Sequence, residues 1–238
     1  MEKSLKKTAC VIAAVMSVPI LAIAQDNKVE TSVSADIVSG YIWRGQDLGN
    51  VSIQPSLGVA YGGLSLGAWG SVGIDSKDTK EFDLTLAYTT GGLTLGVTDY
   101  WFTSKESPAQ YFHYGARNTA HVFEANIGYN FGPMALNWFT NFAGNDGFKS
   151  NGDRAYSSFI NLSVPFKLGG LDWSAEIGAT PWETTFYNGG ANGFEVSNIG
   201  IGATKDMKIT ETFSVPAYAK ITFNPATEGA YFVFGIKL

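Results

Sequence analysis

Beyond position 10 the chain has no cysteine, which removes disulfides and thiolate metal centres from consideration. Histidine is nearly as scarce. His113 and His121 are the two present, too few for a metal ligand set of recognisable spacing. Positive charge is also in deficit. Past residue 24 there are 13 basic and 20 acidic residues, a net charge near −7 with no basic cluster, which disfavours a nucleic-acid partner. Nor is there a run of eighteen apolar residues past residue 24, so no helix of that stretch spans a bilayer, although strands remain possible. Gly200-Ile201-Gly202 is a glycine pair inside a strand-like pattern and not a phosphate loop.

What is present begins with an export signal. Lys3, Lys6 and Lys7 precede the uncharged apolar stretch from Thr8 to Leu21, and Ala22-Ile23-Ala24 supplies a small-x-small cleavage pattern. Residues 1–24, with Cys10 among them, are expected to form a cleaved signal peptide, and 25–238 one domain, since no linker, charge block or composition break divides them.

After that point the chain alternates with period two in segments of about ten residues. Val51, Ile53, Pro55, Leu57, Val59 and Tyr61 share one parity, and Ser52, Gln54, Ser56, Gly58 and Ala60 the other. Gly62-Gly63 follows as a tight hairpin, and Leu64, Leu66 and Ala68 resume the pattern. The same reading predicts twelve strands, near 31–43, 51–61, 64–74, 81–89, 93–101, 121–130, 134–142, 154–166, 171–180, 195–204, 209–223 and 230–238. Their connections alternate between short ones (62–63, 90–92, 131–133, 167–170, 205–208) and long ones (44–50, 75–80, 102–120, 143–153, 181–194, 224–229).

The content of the two faces separates a membrane barrel from a soluble sandwich. One face holds large apolar residues, with Asp99, His121 and Lys205 as its charged exceptions at segment ends. The other is Ser, Thr, Asn, Gly and Ala with occasional carboxylates, not the Lys/Glu-rich face expected against bulk water. Glycine, 28 of 238 residues, suits a crowded lumen and weakens an ordinary sheet. Aromatics gather near strand ends on the apolar parity, among them Tyr41, Trp43, Tyr61, Phe82, Tyr88, Trp101, Tyr129, Phe142, Tyr156, Phe166 and Phe223, as interfacial girdles do. The expectation is an all-β, closed antiparallel transmembrane β-barrel of about 12 strands with up-and-down meander topology. It would sit in a bacterial (Gram-negative) outer membrane with both termini in the periplasm.

The stretch Ser34-Ala35-Asp36-Ile37-Val38-Ser39-Gly40-Tyr41-Ile42-Trp43-Arg44-Gly45 resembles the opening strand of the TorF-type porin family, where an aromatic-x-x-Arg-Gly stretch leads into the first loop. Ile53-Gln54-Pro55-Ser56-Leu57-Gly58 and Leu64-Ser65-Leu66-Gly67-Ala68-Trp69-Gly70-Ser71 are similar to its second and third strands. The resemblance covers roughly 34–74 and is architectural beyond. It implies an outer-membrane barrel with a transport role and supplies no catalytic residue.

The candidate site is therefore the lumen. Its parity carries Asp36, Glu81, Asp83, Glu124, Asp172 and Glu176 against Arg44, Lys220 and Lys237, an acidic bias that favours cations or neutral solutes. The opposing expectation is that these groups pair across the wall, Asp36 with Lys237 among them. Arg44 is either a lumen residue near the outer mouth or an anchor for its loop. Tyr111, Phe112, His113 and Tyr114 either fold inward as a constriction or pack on the rim, and Trp182, Phe186 and Tyr187 invite the same two readings.

A rival is a structural or adhesive barrel filled by Trp69, Phe139, Phe159, Tyr218 and Tyr231. A lipid-modifying enzyme is disfavoured, because His121-Val122-Phe123 lacks the serine a general base would need beside it. Expected partners are outer-membrane lipid, a small-molecule solute and the barrel assembly machinery. No cofactor or metal is expected, and size favours a monomer.

Overall fold

The computed structural model describes residues 28–75, 77–104, 108–187 and 192–238, so the expected signal peptide and Cys10 lie outside the described residues. Alternating segments become strands that each find two neighbours. The elements are β1 (Glu30–Val38), β2 (Tyr41–Trp43), β3 (Gln46–Gly49), β4 (Ser52–Tyr61), β5 (Leu64–Gly73), β6 (Lys80–Thr90) and β7 (Leu93–Thr103). There follow β8 (His121–Asn130), β9 (Ala135–Gly144), β10 (Ser158–Leu168), β11 (Leu171–Thr180), β12 (Glu195–Lys208), β13 (Ser214–Asn224) and β14 (Gly229–Lys237). β1 and β4 to β14 form a closed twelve-stranded antiparallel barrel of sequential neighbours. β1 shuts it against β14, pairing Asp36 with Lys237, Ile37 with Ile236 and Val38 with Gly235. β2 and β3 form a separate two-stranded hairpin.

Turn chemistry fixes the register at one end. Gly62 and Gly63 have φ of 56° and 88°, and Gly91 and Gly92 54° and 87°, the left-handed pair that a two-residue hairpin needs to match strand twist. The connections at this turn end are all short, and the long ones fall at the opposite, loop end, where the 225–228 connection is the short exception.

Two faces follow from period two. Leu57, Leu66, Leu86, Val97, Ile127 and Ile177 stand outward and exposed on six different strands, a belt that water disfavours and hydrocarbon accepts. Closure pairs the wall's backbone groups, as a lipid-facing wall demands, except along the β14 edge beyond its short seam with β1. The inward face holds small polar residues and all the large aromatics of the interior.

Three strand expectations are corrected. The segment 31–43 ends as a wall strand at Val38, because the chain turns inward after Ser39 and residues 41–43 pair with 46–49 instead. The segment 154–166 begins at Ser158, because the Asp146 carboxylate accepts from the Ser157 amide at 3.2–3.3 Å and holds the preceding residues in the loop. The turn expected at 205–208 is strand. Lys205 to Lys208 pair with Ala217 to Ser214, so the ladder overrides their polarity and the reversal falls at 209–213.

Candidate functional site in the barrel lumen

The two-residue turn of the β2–β3 hairpin is Arg44-Gly45, with φ of 51° and 81°. An arginine at positive φ costs roughly 1–2 kcal/mol, so its side chain must earn the position. The tip is pressed into the lumen. The Asn224 amide donates to the Gly45 carbonyl at 2.8 Å, and a side chain at Gly45 would collide with the Ser197 carbonyl.

Inside, the Arg44 guanidinium donates to both oxygens of Glu124 at 2.5 and 2.8 Å and to the Tyr187 hydroxyl at 2.5 Å. Tyr100 donates its hydroxyl to Glu124 at 3.0 Å. Aromatic faces close the remaining sides, with Arg44 Cζ 4.3 Å from the Trp43 ring centroid and 4.1 Å from that of Phe139. Burial works against the Arg44 charge. The Glu124 carboxylate and the Tyr187 hydroxyl outweigh it and raise the guanidinium pKa further above its ordinary value.

Around this pair lies the interior apolar cluster. Tyr41 and Trp43 come from the hairpin, Trp69, Tyr100, Val122, Phe139 and Phe159 from the wall, and Tyr187 from the 181–194 loop. Tyr187 is 1% exposed and Phe159 0%, so the loop-end half of the lumen is packed shut. The fit extends to backbone: the Phe159 ring occupies the space a side chain at Gly178 would take. Tyr41 and Trp43 thus leave the lipid-interface girdle their parity predicts and enter the lumen, because the hairpin folds inward as a unit.

The turn-end half differs. Asp36, Asn126, Asn137, Ser174, Tyr218 and Lys220 line it and keep part of their surface open to water. Glu176 accepts from Lys220 Nζ at 2.6 Å and from the Asn198 amide at 2.8 Å. Lys167 and Asp172 pair at 2.7 Å at the exposed turn rim. Asp36 lies opposite Lys237 in register and accepts from the Tyr218 hydroxyl at 3.4 Å. Tyr231 is half-buried on the inward face. Glu81 and Asp83 are buried on the inward face of β6, bonded to one another, with Tyr41 of the hairpin reaching Glu81.

Tyr111 and Tyr114 of the 102–120 loop do not enter the lumen, although Phe102 at its start packs against the interior cluster. Tyr111 and Tyr114 lie on the outer wall at the loop-end rim, against Phe82, Trp101, His121 and Phe123. Phe112 is 87% exposed beside them, and the His113 carbonyl accepts from Thr119. Beneath this cover two of the three charged exceptions of the apolar parity meet, His121 Nδ1 lying 2.7 Å from Asp99 Oδ1. His121 Nε2 faces the Tyr111 carbonyl at 2.5 Å. A carbonyl only accepts, so Nε2 carries a proton there and is not poised as a base toward a hydroxyl. Trp182 also packs outward, on Trp138, and Phe186 joins the margin of the interior cluster.

Sequence reasoning places Arg44, Glu124, Phe139 and Phe159 on the lumen side but does not bring them together. The signal for Tyr187 is weak, one aromatic among several in a loop. For the hairpin, the Arg-Gly turn between Trp43 and Gln46 is the legible sign.

No protein-family model matches this chain, and no curated protein matches it. Among solved structures it is similar to a membrane protein from a study of in-meso crystallization (TM-score 0.47, 9% identity, 89% of this chain and 83% of that one). It is also similar to a porin refined at 1.8 Å (0.39, 13%, 88% and 99%). A third is the COG4313 outer membrane channel from Pseudomonas putida F1 (0.39, 13%, 92% and 97%).

Proposed function

We propose that this chain is a porin-like outer-membrane channel for small polar solutes, closed at its loop end in the conformation described. The observation that carries the reading is a hydrophilic, water-reached lumen half inside a wall whose outside is apolar. The resemblance of residues 34–74 to TorF-type porins supports it. The chain would act as a monomer inserted by the barrel assembly machinery, with the turn end and both termini in the periplasm.

Selectivity follows from the charges left over. Arg44 with Glu124, Lys220 with Glu176 and Lys167 with Asp172 neutralise one another, and Asp36 faces Lys237. Glu81 and Asp83, bonded to one another and so holding a proton between them, leave the remaining negative charge as the acidic excess, which favours cations or neutral solutes over anions. Reversal potentials across a salt gradient in planar bilayers test this. Cation preference that Glu81→Gln with Asp83→Asn abolishes is the expected result, and anion preference in the unmodified channel overturns it.

The packed cluster around Arg44 favours a second reading, a structural barrel with a filled lumen. Removing residues 41–49 in favour of a short glycine connection separates the two. A barrel that then inserts repeatedly without current is filled by design, whereas stepwise conductance supports the channel.

A further inference from the structure

Two features of the 41–49 hairpin are unexplained by a plug alone. The alternation of β1 runs on into it: Val33 and Ile37 face outward, and Tyr41 and Trp43 continue the same odd parity, yet both turn into the lumen. The edge of β14 that a longer β1 would cover is also unpaired, with β2 lying beside it but outside hydrogen-bonded register. Pairing proceeds from Asp36 with Lys237 to Val38 with Gly235, and the Ser39 amide still donates to the Phe234 carbonyl at 2.9 Å. Among the described residues no strand pair joins β14 beyond that point on this side. An open strand edge in a membrane wall is disfavoured, since lipid supplies no hydrogen bonds.

Continuing the same register sets Tyr41 opposite Phe232, Ile42 opposite Tyr231 and Trp43 opposite Ala230. Tyr41 would then stand outward beside Phe232, which is 70% exposed. The hairpin is built to move as one body. Its own pairs, Ile42 with Asp47 and Trp43 with Gln46, do not involve the wall, and bends at Ser39 and at Asn50-Val51 bound it.

We propose that the 41–49 hairpin is a two-position gate: folded inward it plugs the lumen through Arg44, and swung outward it extends β1 along the unpaired edge of β14 and clears the lumen. Inward, it gains the Glu124 pair and the aromatic packing. Outward, it gains backbone hydrogen bonds on β14 and an interfacial seat for Tyr41 and Trp43. The regulatory sense of the movement rests on the channel reading above, but the movement itself is measured without it.

The test uses the full chain with Cys10→Ser, Ile42→Cys and Tyr231→Cys, folded into lipid vesicles. Ser39–Phe234 is a hydrogen-bonded position, so the Ile42 and Tyr231 positions fall on an alternate, non-hydrogen-bonded one, with Cα atoms about 4.5 Å apart and within disulfide reach. Under mild oxidant a disulfide is expected on the folded barrel, judged by heat-modifiable gel mobility. Adding Arg44→Ala should speed its formation by about tenfold or more, because the inward state loses its charge pair. Absence of the disulfide, or a rate indifferent to Arg44, overturns the gate. Oxidised barrels should conduct steadily and close on reduction. An Arg44-dependent disulfide in barrels that stay silent upholds the movement and overturns the channel reading.

Discussion

Arg44 concentrates the chemistry of the site in one residue. It sits at a backbone conformation that favours Gly or Asn, and the fold keeps arginine there because its charge is met by Glu124 inside an aromatic cage. Removing one partner of a buried pair costs about 3–5 kcal/mol, since the other charge is stranded. Glu124→Gln is therefore expected to raise hydrogen exchange at the amides of residues 41–49 while those of β8 stay protected. Replacing both Arg44 and Glu124 by methionine should restore slow exchange. Tyr111 offers a second check. Burial, then the neighbouring Tyr114 hydroxyl, pushes its pKa up to about 12 from 10.0. The neutral ring is the form the rim packing favours, so this contribution is intact below pH 10 and lost as pH rises through about 12. A phenolate difference spectrum of the wild type against Tyr111→Phe should show that late step, and a step near pH 10 would remove the idea.

Between elements, glycines on the inward face receive rings from the neighbouring strand. Gly235 of β14 shows this most directly, because a side chain there would collide with the Tyr218 ring of β13. Gly235→Ala overpacks the seam beside β1 and is expected to cost about 1–3 kcal/mol in urea titrations, with Tyr218→Ser recovering most of it in a double-mutant cycle. The strand pattern was legible because period two survives any register, and the expected segments match the wall strands to within a few residues over most of the chain. It misled at Tyr41 and Trp43, where parity describes a wall strand and the hairpin turns inward. It misled again at Lys205–Lys208, where polarity reads as a turn and the ladder continues.

For the molecule as a whole, the apolar wall dictates the solvent. Ile127 faces outward from the middle of β8, so Ile127→Arg should destabilise the barrel by about 2–4 kcal/mol in lipid vesicles, while Ile127→Leu changes little. An arginine tolerated there would mean that this face meets water. The lumen is divided: its turn-end half is polar and wet, and its loop-end half is packed around Arg44. In the proposed channel, conduction is decided by the position of nine residues, 41–49, and not by the barrel wall.

The alternation of residue types by itself determined a closed twelve-stranded wall, its lipid and lumen faces, and the end that carries short turns. These are local periodicities, and each strand needs only its neighbours to realise them. The tertiary structure alone decided that the first loop enters the lumen, that Arg44 meets Glu124 eighty positions away, and that Tyr111 and Tyr114 of the longest loop lie outside against His121. Such meetings depend on which side chains fit a shared interior volume, and that volume exists only after the wall has closed.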